Sequence, residues 1–184
     1  MKNNNNEKRK IIILAARQLF AEKGFDKTTV DEIMERANLS KGTFYTYFKS
    51  KEELIKEIAI GSTPVKIFER VLEKNYESAD KMLMELALSY ISKYNDPVER
   101  RLFLYCVGIA SRYEMIRNLF RKLYELNYVR LKEKLQRMSG RTIDWMRIRI
   151  FMAGLFHYVL TMDFAESLEP PYEYSKKLID LLLI

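Results

Sequence analysis

The chain has 184 residues, of which 48% are hydrophobic and 31% charged, a balance that supports a real core and excludes a disordered chain. Six Gly and four Pro are too few for the hairpin turns and bulges of an all-β protein, so an all-helical fold is expected. The net charge of +7 is compatible with a polyanionic partner, although where the charge lies matters more than its total.

Met1 to Asn6 is polar and Asn-rich without periodicity, and is read as a frayed tail. Ile12, Ala16, Leu19 and Phe20 then recur at helical spacing, and Lys23-Gly24-Phe25 supplies a stop, because Gly tolerates the left-handed conformation just past a helix end. This predicts a first helix near residues 7–23. Thr29-Val30-Asp31-Glu32 matches a capping box, which starts a second helix over about 30–37. Asn38-Leu39 makes a tight turn. Ser40 can cap a third helix from Lys41 to Phe48, with Phe44 and Phe48 on its buried side. Two short helices joined by so tight a turn are the signature of a helix-turn-helix.

Ser50-Lys51-Glu52-Glu53 forms a second capping box and opens a fourth helix through Leu54, Ile55 and Ile58. Gly61-Ser62-Thr63-Pro64 interrupts it, as a domain boundary or as a kink in a longer helix, since proline disfavours helical geometry in the residue before it. Amphipathic patterns follow over about 65–75, 78–94, 97–113 and 114–138, with breaks at Asn95-Asp96-Pro97 and Ser139-Gly140. Residues 142–166 are apolar on more than one face, and the chain closes on Leu178-Ile179-Asp180-Leu181-Leu182-Leu183-Ile184. A segment that apolar either folds back on its own domain or packs on a second copy. The second is favoured, because a two-fold interface would bury the last two helices together.

A major groove about 12 Å wide admits an α-helix, whose N-terminal side chains read base edges while donors on either side bind phosphate. Lys41 and Thr43 sit where base readers should sit, Gly42 would let the backbone approach DNA, and Tyr45, Thr46 and Tyr47 offer hydroxyl donors. Lys51, at the start of the next helix, is placed to attract a phosphate.

The run Thr28-Thr29-Val30-Asp31-Glu32-Ile33, then Leu39-Ser40-Lys41-Gly42-Thr43-Phe44-Tyr45-Thr46-Tyr47-Phe48, then Ser50-Lys51-Glu52-Glu53-Leu54, closely resembles the N-terminal domain of the TetR family of bacterial and archaeal transcription regulators. The resemblance covers about residues 8–58. It implies an all-helical homodimer with residues 1–58 as the helix-turn-helix DNA-binding domain and 59–184 as a helical ligand-binding and dimerisation domain. It further implies a cytoplasmic repressor released from a double-stranded operator by a small molecule. Carried over by position, Lys41, Gly42, Thr43 and Tyr45 would face bases, and Thr29, Ser40, Thr46, Tyr47 and Lys51 phosphates. Position 47, often His in this family, is Tyr here, which changes the donor.

The positive charge is not concentrated in the DNA-reading segment. Residues 1–58 carry 12 basic and 9 acidic groups, residues 59–96 carry 5 and 6, residues 97–150 carry 13 and 5, and residues 151–184 carry 2 and 5. Within the first segment the cations gather in Lys2, Lys8, Arg9 and Lys10 and in Lys41, Lys49 and Lys51. The basic stretch 97–150, with Arg100, Arg101, Arg112, Arg117, Arg121 and Lys122, reads as an exposed helix face. An anionic effector such as an acyl-coenzyme A, or further DNA contact, are its alternatives. An effector pocket, for an apolar or anionic small molecule, is expected to draw on Tyr90, Phe103, Tyr124, Phe156 and His157.

No catalytic residues, metal ligands or cofactor are expected. There is no G-x-S-x-G, G-x-G-x-x-G, phosphate loop or metal-ligand spacing, and His157 is the only histidine. It is read as a core or pocket-wall residue, and Cys106 as a small buried hydrophobe. Asp31, Glu32 and Glu35 fall on an exposed helix start, where acids stabilise the terminus. One cysteine allows no intrachain disulfide, no basic-then-apolar leader is present, and the apolar run Phe151 to Met162 is too short to span a bilayer. A cytoplasmic protein without a membrane partner is therefore expected. A DNA-binding architectural protein without an effector, and a ligand-binding protein with a vestigial DNA module, are the alternative functions.

Overall fold

Helices make up all the regular structure in the described residues, 2–183, of the computed structural model, with side chains described from Asn6 onward. Met1 and Ile184, and the Lys2 side chain of the expected basic arm, lie outside them. In chain order the helices are α1 (Lys2–Lys23), α2 (Val30–Arg36), α3 (Lys41–Tyr47), α4 (Lys51–Ser62), α5 (Val65–Glu73), α6 (Ala79–Lys93), α7 (Pro97–Ile109) and α8 (Glu114–Lys122). A π-helical turn (Leu123–Tyr128), α9 (Val129–Ser139), α10 (Trp145–Thr161) and α11 (Pro171–Leu183) complete the chain.

The local signals act largely as expected. Gly24 has φ +83° and its N–H caps the Phe20 carbonyl at 2.9 Å, which ends α1. Thr29 caps α2 with both halves of the box formed, the Thr29 Oγ1 accepting from the Glu32 N–H and a Glu32 carboxylate oxygen accepting from the Thr29 N–H at 2.8 Å. The α2–α3 turn passes through Asn38 at φ 52°, a left-handed conformation that Asn tolerates.

Three details differ from expectation. Helix α1 begins at Lys2 and takes in the Asn-rich run, because adding residues to an existing helix costs far less than nucleating one. The Ser50 box is half formed. Ser50 Oγ accepts from the Glu53 N–H at 3.3 Å, while the Glu53 carboxylate reaches past Ser50 to the Lys49 N–H at 2.6 Å. The pattern over 114–138 resolves into two α-helices joined by the π turn, whose wider i→i+5 winding the sequence pattern does not mark.

The chain divides into two compact units. The first runs up to Thr63 and includes Pro97–Arg117. Its core is built by Ile12, Ala16 and Phe20 of α1, Ile33 of α2, Phe44 of α3, Leu54 and Ile58 of α4, and Leu102 and Cys106 of α7, all 2% exposed or less. The 97–117 segment thus joins the helix-turn-helix in one core, with Phe25 seated edge-on between Phe20 and Tyr105 at 4.9 Å from each. Arg17 of α1 forms an ion pair with Glu99 of α7.

The second unit holds Pro64–Asp96 and Asn118 onward. Phe68, Met82, Leu86, Tyr94, Phe151 and Leu155 are fully buried in it, and α11 packs on α6 and α10. Lys134 of α9 donates to the Leu72 and Lys74 carbonyls at 2.7 and 2.6 Å, which fastens the end of α5. Among the described residues no helix is long and apolar enough to cross a membrane, and no group of three His, Cys, Asp or Glu side chains is placed to hold a metal.

Candidate nucleic-acid interface

Helix α3 is short, with one buried side chain, Phe44, whose ring lies 5.6 Å from that of Phe48 just past the helix end. These two rings anchor the helix, so its remaining positions face outward. Lys41, Gly42, Tyr45 and Thr46 are exposed, Tyr45 at 57%, and Thr43 and Tyr47 are half-buried. Ser40 is exposed at the N-cap position but makes no cap bond. Its hydroxyl instead pairs with Thr43 Oγ1 at 2.9 Å. Thr46 Oγ1 donates back to the Gly42 carbonyl at 3.4 Å. An ideal Cβ at Gly42 would meet nothing within 4 Å, so the protein's own packing does not call for Gly there.

Two of the expected phosphate donors are engaged within the protein. Thr29 has both its N–H and its hydroxyl directed at Glu32 in the capping box. Lys51 is half-buried and its ammonium donates to the Phe25 and Thr28 carbonyls at 3.1 and 3.0 Å. This lysine ties the α1–α2 loop to the start of α4. The electrostatic setting is otherwise one of paired charges. Glu32 is held down to about 2 by the hydrogen bond from Lys23 and by those from Thr29. Arg36 pairs with Glu22 at 2.6 Å, and Arg9 lies 5.0 Å over the Phe48 ring while pairing with Glu57. Lys41 Nζ sits 2.8 Å from one oxygen of Asp31 and 3.0 Å from the other, and the carboxylate holds that ammonium above the ordinary lysine range. The sequence gives this pair no signal, because the two residues are ten apart and meet only when α2 and α3 fold onto one another.

The residues expected around an effector are scattered. Tyr90 is buried in α6 against Tyr94, ring centroids 5.2 Å apart, whereas Phe103 is buried in α7 of the first unit. Tyr124 is 41% exposed on the π turn, 5.0 Å from the Tyr128 ring, and accepts from Arg149 Nε at 2.9 Å. Phe156 is half-buried on α10. His157, expected in a core or pocket wall, is exposed, because the helical phase of α10 turns it outward with Met146, Ile150, Ala153 and Leu160. Cys106 is buried, and burial pushes its thiol up to about 11. In the basic stretch Arg100 is buried, while Arg101, Arg112, Arg117, Arg121 and Lys122 are exposed. A groove of about 520 Å³ in the second unit, between α5 and α6, is lined by Ile67, Arg70, Leu88, Ser89, Ser92 and Lys93. None of the five expected residues lines it.

A short helix pinned by two phenylalanines, a tight left-handed turn before it and an outward face of lysine, glycine, threonine and tyrosine define a helix-turn-helix of the DNA-binding kind. Residues 12–58 match the model for bacterial regulatory proteins of the tetR family. YhgD of Bacillus subtilis (strain 168), an HTH-type transcriptional regulator, is 29% identical over 143 residues, which are 78% of this chain and 67% of that protein. YuxN of the same organism, also an HTH-type transcriptional regulator, is 53% identical over 48 residues, 26% of this chain and 16% of its own. A solved structure from Aquifex aeolicus VF5, described as a transcriptional regulator (TerR/AcrR family), is 26% identical with a TM-score of 0.70, covering 94% of this chain and 96% of that one. Residues 12–58 are thus a helix-turn-helix segment of the tetR-family kind, in an all-helical chain whose fold is similar to that of TetR-family transcriptional regulators.

Proposed function

We propose that this regulator is a cytoplasmic repressor that binds a palindromic operator as a homodimer and leaves it when a small molecule binds. In this reading residues 1–58 read DNA and residues 59–184 bind the ligand and form the dimer. The observation that carries it is the outward face of α3, where Lys41, Gly42 and Tyr45 are exposed beside the buried Phe44. Lys41, Gly42, Thr43 and Tyr45 reach base edges, while Ser40, Thr46 and Tyr47 contact phosphate. Thr29 and Lys51 take part through the Glu32 cap and the α1–α2 loop, with any phosphate contact added to those bonds.

Dimerisation is supported by α10. Met146, Ile150, Ala153, His157 and Leu160, with Phe164 just beyond, are all exposed and recur at alternating intervals of four and three, the spacing of a helix–helix seam. Leu181 and Tyr172 of α11 are 57% and 54% exposed. Burying such faces against a second copy would remove a contiguous apolar surface from water. Two recognition helices about 34–36 Å apart, or a multiple of that, would then enter successive turns of one groove.

The groove between α5 and α6, with Arg70 and Lys93 beside Ile67 and Leu88, supports an amphipathic anion as effector. Such a ligand can shift DNA affinity only by its differential affinity for two conformations, typically about 1 to 3 kcal/mol.

The test is selection of duplexes from a random pool by the full-length protein, followed by sedimentation of the complex. Enrichment of a palindrome bound by two chains is expected, with Ile150→Glu sedimenting as a monomer. Equal recovery of all sequences, or one chain per duplex, would overturn the reading.

A further inference from the structure

Asp31 and Lys41 form an ion pair on the DNA-reading face whose position is not accounted for by stability. Both side chains are largely exposed, 67% and 59%, and an exposed pair of this kind contributes little to folding. Nor is Asp31 needed to cap α2, since Thr29 and Glu32 already close that helix start. The pair nevertheless joins the first turn of α2 to the first residue of α3, the residue best placed to enter the groove. Lys27 and Lys49 are also exposed on this domain, and no ion pair is formed by either among the described residues. Arg9, Lys23 and Arg36 are paired as well, but of these cations Lys41 is the one that lies on α3, at its reading end.

We propose that Asp31 is a specificity-determining residue for DNA binding, acting by withholding Lys41 from phosphates and by presenting a carboxylate that only an amino-bearing base edge can satisfy. This rests on the reading of α3 as the recognition helix. On DNA of arbitrary sequence, Lys41 gains a phosphate only by leaving Asp31, and the carboxylate so released faces a polyanion without a donor. That loss offsets the gain, so sequence-independent affinity stays low. On a matching site both groups find partners. A lysine ammonium suits guanine O6 and N7, and a carboxylate accepts from the cytosine N4 amino group, which lies beside O6 on the same major-groove edge. The pair opens onto one guanine–cytosine base pair and exchanges one ionic contact for two directed ones.

The experiment compares the full-length wild type with Asp31→Asn and Asp31→Ser, both of which keep a side chain suited to a helix start. Probes are a random-sequence 30-base-pair duplex and a duplex enriched by the wild type from a random pool. Asp31→Asn should bind the random duplex about 3- to 10-fold more tightly at 0.1 M salt, because one cation per subunit is freed, and the slope of log K against log salt should steepen by about 0.9 per subunit. The ratio of enriched to random affinity should fall, and a guanine–cytosine preference at one position of each half-site should be lost on reselection. In a Lys41→Ala background most of the gain on random DNA should vanish.

Unchanged random-duplex affinity and slope in both variants, or unaltered base preference, would overturn the proposal. The same holds if the gain persists in full without Lys41. If the wild type binds neither duplex, DNA reading itself fails and this inference falls with it, whereas an enriching wild type with indifferent variants overturns this inference alone.

Discussion

Gly24 lies under the ring of Tyr105 so closely that a Cβ at position 24 would stand 2.6 Å from the Tyr105 hydroxyl oxygen and 2.7 Å from the carbon that bears it. The same glycine has φ +83°, so two independent constraints meet at one residue. Gly24→Ala should destabilise the first unit by roughly 2 to 4 kcal/mol, about 1 to 2 from the left-handed backbone and the rest from overpacking. A double-mutant cycle with Tyr105→Ala separates the two, since the smaller side chain removes the clash and leaves the backbone term. Urea denaturation of the four proteins should give clear non-additivity. Additive values would mean that the ring moves aside at no cost.

Gly42 behaves in the opposite way. It is helical and open to solvent, so Gly42→Ala should leave the free protein as stable or up to about 1 kcal/mol more stable, the usual preference for Ala over Gly within a helix. If this position lies against base edges in the groove, the same change should weaken binding to a selected duplex at least about tenfold, the effect of losing about 1.4 kcal/mol of contact. A melting curve and a binding titration on one sample read both effects. Equal affinity would remove position 42 from the interface.

Lys51 was expected from sequence to hold phosphate, yet its ammonium links the carbonyls of Phe25 and Thr28. Lys51→Met keeps the aliphatic stem and removes the donors. We expect a loss of about 1 to 2 kcal/mol in stability, the scale of hydrogen bonds from a charged group. Hydrogen exchange should quicken in residues 25–29. A variant as stable as the wild type that only loses DNA affinity would contradict the structural role and leave Lys51 with the phosphate alone.

Glu32 makes an acid-sensitive contact. Its carboxylate is held near 2, below the ordinary 4.5, chiefly by Lys23 and then by Thr29. A carboxylate with a depressed folded-state value stabilises the fold fully above the unfolded value and loses that contribution as pH falls toward the folded one. The stability gap between wild type and Glu32→Gln should therefore be widest above pH 4.5 and shrink between 4.5 and 2. Thermal melts at pH 6, 4 and 2.5 measure it, and a gap independent of pH would contradict the assignment.

What could be read from sequence was whatever is local. Thr29 and Glu32 are three residues apart, Gly24 directly follows a helix, and Phe44 and Phe48 are one turn apart, so each feature is contained in a short window. Helix-turn-helix geometry is set by such windows, which is why α2, α3 and the family resemblance were legible. Contacts across the fold were not. Asp31 looked like an ordinary acid at a helix start, and Lys51 like a cation awaiting a phosphate, because their partners are brought close only by packing. His157 was misplaced for a related reason. In a helix apolar on several faces, hydrophobicity alone does not say which face is outward. The effector residues carry the weakest sequence signal, since aromatic character marks cores and pockets alike.

Because Pro97–Arg117 belongs to the same packed unit as the first 63 residues, the order of the chain is not the order of its modules. Leu102, Phe103 and Cys106 would have no counterpart if the chain were cut after Thr63, and the apolar surfaces of α1 and α4 that meet α7 would be left in water. An excised headpiece would therefore be a poor proxy for the reader of DNA. A graft that moves this headpiece onto another regulator must carry its distant second strip of sequence with it, or find a replacement already shaped to Phe25 and to Ser62, whose hydroxyl lies 3.7 Å from the Cys106 sulfur.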